Sequence, residues 1–413
     1  MNRHNNLPIY KHTSTAIGIK MFADSEKNPV TARWINRMAE VRQTSWDALA
    51  LGLETPLLEW EWLNQMETSG SISPETGWEP NHLTLWRGSR LIAAAPLYIK
   101  IHNEGEFIPN SIWEDAANRL GVRYFPKMVG MSPVSPVSGY RILMAVDENA
   151  AEVTSLMISE IDRFCRDNHI SGASFLFADP AWASSIVARG YVWWMHQSFI
   201  WENQGFANFD DYLAVFKTNQ RRNIRRERDM LRKQGLVLRP LQGDEIPPDF
   251  VPLIYRFYED TNDRYAPWNC KYLYPAFFEG IYERYRHRLL LMTVSPTGRE
   301  DSPVGMSLLL IKGGQLLGRY WGCGKEIPYL HFNTCYYGPV EWAIHHGISA
   351  FNPGAGGDHK IRRGFKSVPA YSLHRFYDSR MDAVMRFNMR EINRREQVYL
   401  AAMNESLPFS RKI

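Results

Sequence analysis

The chain has 413 residues, of which 45% are hydrophobic and 13% aromatic, and its 48 basic side chains exceed its 44 acidic ones by a net charge of +4. This is the composition of a folded globular protein with room for two cores, not of a disordered or fibrous chain. The longest apolar run, residues 91–99, is interrupted by Pro96 and falls far short of the roughly 20 residues of a spanning helix, so a membrane span is excluded and a cytoplasmic protein is expected.

Residues 1–30 are polar and lack the apolar core of a secretory signal; they read as a flexible leader or, with no acid before Asp24, as a transit peptide. A hairpin follows over 82–100, two β-rich runs around Arg87-Gly88-Ser89. His102, Glu104 and Glu106 lie just beyond it, and a Pro- and Gly-rich loop near 127–141 is a candidate rim for a cleft. Amphipathic periodicity predicts a helix over 153–168, then a strand over 173–179, a short helix and a strand at 189–194. A boundary falls near 200–208, and Asn208 or Asp210 starts the next helix.

Residues 217–233 form a strongly basic helix, with eight cations against Glu227 and Asp229. At about 100° per residue, Arg221, Arg225, Arg228 and Arg232 share one face, while Phe216, Ile224 and Leu231 gather on another. Guanidinium forks on an anchored helix suit phosphate or carboxylate recognition, because each fork bonds two oxygens at once. A second hairpin over 288–312, a helix over 336–346, a strand over 349–355 and a strand near 370–376 complete the chain. Both halves thus run hairpin, helix, strand, irregular segment, strand. A repeat of about 200 residues points to duplicated domains, and the helix-to-strand units beside hairpins predict an α/β (α+β) fold, each domain a mixed, mostly antiparallel sheet flanked by helices. The expected units are 31–204 and 205–400, with a tail over 401–413.

Four scattered cysteines, Cys165, Cys270, Cys323 and Cys335, show no zinc-ligand spacing and read as reduced thiols, so no metal is expected. The densest chemistry lies in Gly-Arg-Tyr-Trp-Gly-Cys at 318–323, Leu-His-Phe-Asn-Thr-Cys-Tyr-Tyr at 330–337 and the glycine-rich stretch 352–366. Gly354, Gly356 and Gly357 let backbone amides approach a ligand, and Lys360, Arg362 and Arg363 follow them. Neither a phosphate-binding P-loop nor a dinucleotide fingerprint is present. His331 and His359 are candidate general bases, with Asp358 or Glu341 to orient an imidazole, and Tyr320, Trp321, Tyr336 and Tyr337 are candidate pocket walls.

Phrases in order from about residue 43 to 378, among them residues 69–86, 90–100 and 218–228 with the three motifs at 318–323, 330–337 and 354–365, resemble the FemAB-like predicted N-acyltransferases, described as peptidoglycan biosynthesis or recognition proteins. The resemblance implies two tandem domains like the Gcn5-related N-acetyltransferases, and transfer of an acyl or aminoacyl group to an amine. Related Fem-type enzymes take an aminoacyl group from charged transfer RNA and attach it to a cell-wall precursor peptide. By position, the resemblance makes Lys217, Asn219, Arg221, Arg222, Arg225 and Arg226 the donor-binding motif, and Gly354, Gly356, Lys360, Arg363 and Phe365 the substrate loop. Tyr320, Trp321 and Tyr337 join them as binding residues, and His331, His359 and Asp358 as catalytic ones. Pro109-Asn110-Ser111 departs from the family pattern after Gly105-Glu106-Phe107, and the loop that cradles coenzyme A in ordinary acetyltransferases is missing. Acyl-CoA and aminoacyl-tRNA both stand as co-substrates, with no tightly bound cofactor. The rival expectation is a non-catalytic protein that binds a cell-wall fragment or RNA through the same fold.

Overall fold

The computed structural model describes residues 29–265 and 270–410. The expected leader lies almost wholly outside the described residues. Among the described residues, nine strands come from the first half: β1 (Val30–Ile35), β2 (Trp78–Pro80), β3 (His82–Arg87), β4 (Arg90–Ala95), β5 (Leu97–Lys100), β6 (Lys127–Gly130), β7 (Leu143–Met144), β8 (Gly172–Ala178) and β9 (Val192–Glu202). Six come from the second: β10 (Leu236–Gln242), β11 (Leu289–Pro296), β12 (Gly305–Lys312), β13 (Gln315–Cys323), β14 (Ala350–Asn352) and β15 (Lys366–Phe376).

A small sheet has the order β1-β3-β4-β7, and an 11-stranded sheet runs β10-β11-β12-β13-β14-β9-β15-β8-β6-β5-β2. All its pairings are antiparallel except β13 with β14 and β6 with β8. The two halves exchange strands across the middle of this sheet. First-half β9 pairs with β14, while second-half β15 lies between β9 and β8, in register from Lys366 opposite Ile200 to His374 opposite Val192.

The first hairpin is β3 and β4, but the second run of the expected pair divides at Pro96. Proline has no N–H to give the ladder, and the chain crosses there into the large sheet as β5. The second hairpin is β11 with β12, as the turn residues predicted. The helix expected over 153–168 runs Ala150–Asp167, capped by Asn149, whose side chain accepts from the Ala151 and Glu152 amides. The basic helix spans Thr218–Lys233 and buries Ile224 and Leu231 on its apolar face.

Of the expected tail, residues 401–410 are described, and 401–405 are helical. A helix over Ser379–Glu405 packs on β9 and β15. Its Asn393 bonds both ways to β9, accepting from Met195 N at 2.8 Å and donating to Trp193 O at 3.0 Å. Beyond it, Lys217 N donates to Pro408 O, tying the segment after this helix to the start of the basic helix.

Beneath this helix, the core holds an acid-sensitive point. His374 on β15 is buried with Nδ1 2.9 Å from Ser174 Oγ, and neither its Nε2 nor that of nearby His196 has a partner among the described residues. Burial holds His196 down at about 3, and burial with His196 and Lys127 nearby holds His374 well below the usual imidazole range. The unfolded chain takes up protons at both rings as pH falls below 6.5, whereas the folded chain does not. Stability should therefore be full above that pH and fall toward pH 4, by up to about 1.4 kcal/mol per pH unit for each imidazole. Urea midpoints at pH 7, 6 and 5 check this, and His374→Phe should flatten the slope.

Candidate active site

A cavity of about 690 Å³ opens between the halves. Its floor is β12 and β13, which contribute Ser307, Leu308, Arg319, Tyr320 and Trp321. One wall is the helix Phe250–Arg264, which lies so close to β13 that a Cβ at Gly322 would sit 2.0 Å from Phe257 O. That contact explains the glycine of the 318–323 motif. The opposite wall is the glycine-rich turn 353–357 with the following turn Asp358–Arg363, and the first half closes the rim with Phe107, Val134 and Pro136.

Three residues around the cavity hold left-handed backbone without being glycine: Phe107 at φ 55°, Val134 at φ 47° and Tyr329 at φ 63°. Each such residue costs on the order of 1–3 kcal/mol and persists only where surroundings over-determine it. Arg319 is part of that determination, since its Nη2 donates to Val134 O at 2.9 Å and Ser135 Oγ at 3.0 Å. Tyr329 starts the helix Leu330–Phe332, which continues through a π-helical turn Asn333–Tyr337 into the helix Gly338–His345. The expected helix over 336–346 thus begins earlier and wider. The extra residue of the π turn belongs with functional sites in general, and here the segment presents His331, Cys335 and Tyr336 to the cavity.

His331 lies 4.4 Å from the Trp321 ring and 6.0 Å from His359. His359 Nε2 is 3.0 Å from Tyr336 Oη, so Tyr336 and not Asp358 orients this imidazole. Asp358 faces out, accepting from Tyr399 Oη at 3.1 Å. Burial, then His359, Arg363 and Lys360, hold His331 at about 3; burial with Arg363 and Lys360 outweighs Asp358 and holds His359 at about 4. Both rings are neutral at physiological pH.

Lys360 is 2% exposed and lines the same wall. Its Nζ donates to Gly354 O at 2.8 Å and Ala355 O at 2.9 Å, which leaves one N–H for the cavity. Burial lowers its pKa to about 7. Gly357, at φ 87°, is required both for its backbone and because a Cβ would lie 2.6 Å from the His359 ring.

Of the residues singled out from the sequence, His331, His359, Lys360, Tyr320, Trp321, Gly354 and Gly356 meet in this one cavity. Arg363, Tyr337 and Phe365 stand behind it. Arg363 Nη2 donates to Glu227 Oε2 at 3.0 Å, Tyr337 Oη to the same oxygen at 2.5 Å, and the Arg363 guanidinium stacks 3.3 Å from the Phe332 ring centre. Glu227, an acid passed over inside the basic run, is therefore the tether between that helix and the turn Asp358–Arg363. Phe365 is core, against Tyr336 and Phe351.

The basic helix lies apart from the cavity wall. Arg225 approaches Asp210 at 3.6 Å, Arg228 pairs with Glu341 and stacks over Phe209, and Arg232 approaches Asp229 at 3.5 Å. These three arginines line a separate cleft of about 550 Å³ together with Asp210, Glu341 and His345. Lys217, Asn219, Arg221, Arg222 and Arg226 line neither space, although Gln220 donates to Arg362 O at 2.7 Å and so brings the helix start beside the turn Asp358–Arg363. Phe107, Tyr258, Tyr265, Tyr272 and Arg319 were missed as wall residues: Tyr258, Tyr265 and Tyr272 come from segments remote from the sequence motifs, while Phe107 and Arg319 stood inside motifs without being singled out. Among the described residues no cluster of three or more His, Cys, Asp or Glu could hold a metal, and no helix is long and apolar enough to cross a membrane.

Two solved structures share the fold. FemX is 11% identical, with 86% of this chain and 99% of that one covered and a TM-score of 0.50. The C-terminal domain of a protein described as a lysylphosphatidylglycerol synthetase, from Agrobacterium fabrum, is 8% identical, with 91% and 99% covered and a TM-score of 0.50. The α/β fold of mixed, mostly antiparallel sheets flanked by helices expected from the sequence is the one observed, and FemX shares it. No protein of curated function matches the chain. A family model matches residues 37–411, and on that match the chain belongs to the FemAB-like family, described by peptidoglycan biosynthesis and recognition.

Proposed function

We propose that the chain is an N-acyltransferase that moves an acyl or aminoacyl group from an activated ester or thioester to an amine, with a peptidoglycan-type peptide as the acceptor suggested by the family. The observation that carries this reading is Lys360: a buried cation with no carboxylate partner among the described residues, held by two carbonyls at the wall of a cavity. In the reaction the acceptor nitrogen bonds to the carbonyl carbon, and the C–O or C–S bond to the donor breaks. Negative charge gathers on the carbonyl oxygen in between, and the remaining N–H of Lys360 is placed to stabilise it. The nitrogen becomes far more acidic once bonded to that carbon. Its proton moves to Tyr336 Oη as the tyrosine's own proton moves to His359 Nε2, and the relay returns one proton to the leaving oxygen or sulfur.

The test is transfer, read by mass spectrometry, from acyl-CoA or from aminoacylated transfer RNA to muropeptide amines. Calorimetry of each donor at two salt concentrations accompanies it, with Arg221, Arg222, Arg225 and Arg226 intact and replaced by alanine. If charged RNA is the donor, binding falls steeply with salt and the slope shrinks in the arginine variant. Binding of either donor with no transfer to any amine would make this a recognition protein instead. The rate should not show an acid limb near pH 6.5, because both imidazoles are already neutral there.

A further inference from the structure

The cavity's chemistry is lopsided. Phe107, Tyr258, Tyr272, Leu308, Tyr320 and Trp321 supply aromatic and aliphatic surface, and among the described lining residues there is no aspartate or glutamate. The charges that do line the cavity are both positive, and neither is neutralised by a carboxylate among the described residues. Arg319 spends Nη2 on a backbone carbonyl and on hydroxyls, and its buried Nε has no partner among the described residues. Lys360 spends two N–H groups on Gly354 O and Ala355 O.

From this we propose that the cavity is an acyl chamber for a hydrocarbon-rich acyl group without an ammonium, and that it excludes α-aminoacyl groups. The proposal rests on the transferase reading and narrows its donor. An α-ammonium entering here would lose its water and meet two uncompensated cations. The carbonyls that could have received it are taken by Lys360, and Tyr320, whose ring face could have held a cation, already carries the Arg319 guanidinium 5.1 Å from its centre. The same two cations favour the oxyanion of the transfer step. A volume of about 690 Å³ with mainly apolar walls lies within the usual range of small-molecule sites.

The neighbouring space is mixed in charge. A second cavity of about 410 Å³ shares Thr261, Tyr265, Trp321 and His331 with the first, and it is lined by Glu326 together with Arg264, whose Nη2 is already bonded to Cys323 O at 2.6 Å and Thr261 Oγ1 at 3.0 Å. A carboxylate there suits the acceptor amine, so acyl group and amine come together at the shared Trp321–His331 pair. Selection against the aminoacyl group then comes from repulsion in one chamber, and recruitment of the amine from attraction in the other.

Two thioesters of N-acetylcysteamine test this, hexanoyl and norleucyl, which differ only by an α-ammonium. Calorimetry at pH 6.5 should show the hexanoyl compound binding at least about tenfold tighter. Equal or tighter binding of the norleucyl compound overturns the proposal, and so does binding of neither. Tyr265→Glu places a carboxylate at the rim, where the native side chain is 58% exposed and its replacement leaves the core untouched. It should narrow the preference by about tenfold; an unchanged ratio in the folded variant counts against the electrostatic cause. Transfer from charged RNA with the norleucyl thioester preferred would leave the transferase reading standing and remove this one. Selective hexanoyl binding without transfer to any amine would do the reverse.

Discussion

Lys360→Met should lower kcat by about 10²–10³-fold, the usual consequence of removing one donor to a developing oxyanion, while the protein stays folded. Methionine keeps the length and much of the volume of the side chain in a site that is 2% exposed, and it removes the charge and all three N–H groups. What it leaves behind are Gly354 O and Ala355 O without their donor. Those carbonyls lie on a turn open to the cavity, where water can replace the ammonium. The pH profile separates a chemical role from a merely structural one. With its pKa lowered by burial to about 7, Lys360 loses its proton as pH rises through neutrality, so the wild-type rate should fall on the alkaline side. Lys360→Arg keeps a permanent cation and should retain activity while moving that limb out of the neutral range. A methionine variant with undiminished kcat, or an arginine variant with the same alkaline limb, would take Lys360 out of the chemistry.

The reason Lys360 rather than a histidine carries this argument lies in what a sequence can and cannot show. Histidine's ordinary pKa makes it the default base in any motif, and His331 and His359 do lie in the cavity. Their low basicity comes from burial and from Lys360 and Arg363, which arrive one and four residues after His359 on a tight turn. Proximity along the chain was legible; the resulting electrostatics depended on the fold. The basic helix shows the same division. Its span and its apolar face followed from helical periodicity, and Ile224 and Leu231 are indeed buried. The acids that answer its arginines, Asp210 and Glu341, come from other elements and leave no mark within the run. Strand exchange was illegible for a related reason. β9 and β15 read as ordinary closing strands of two successive units, and only long-range pairing decides that each is bonded to the other's neighbours. Pro96, by contrast, was visible as the one residue in its run unable to donate, and it marks the place where the hairpin breaks.

The largest loss of stability should come from Lys127→Met, at about 3–5 kcal/mol, because it strands a buried carboxylate. Lys127 Nζ lies 2.8 Å from Glu106 Oε2, with side chains 3% and 0% exposed, and also donates to Asn103 Oδ1 at 2.9 Å. Asn110 Nδ2 bonds the same Glu106 oxygen, while Glu106 Oε1 has no partner among the described residues. Removing the ammonium therefore leaves the acid with little else to satisfy it. Replacing both charges, Lys127→Met with Glu106→Leu, should recover most of the loss, since a buried pair is seldom worth more than the apolar groups that could fill its space. Urea titration of the three variants measures this, and a double variant no more stable than Lys127→Met would show that the pair is not what holds the region. The same comparison reaches the active site. Asn103 and Glu106, which Lys127 grips, bracket the turn that puts Phe107 into the cavity at its left-handed φ of 55°. A double variant with restored stability has lost that grip, so Phe107 should relax away from the rim. The expected signature is a KM for the acyl donor raised several-fold with kcat little changed, since Phe107 lines the donor's chamber and touches no reacting atom. A fall in kcat at constant KM would instead place the pair's influence on the transition state and remove Phe107 from the role of wall.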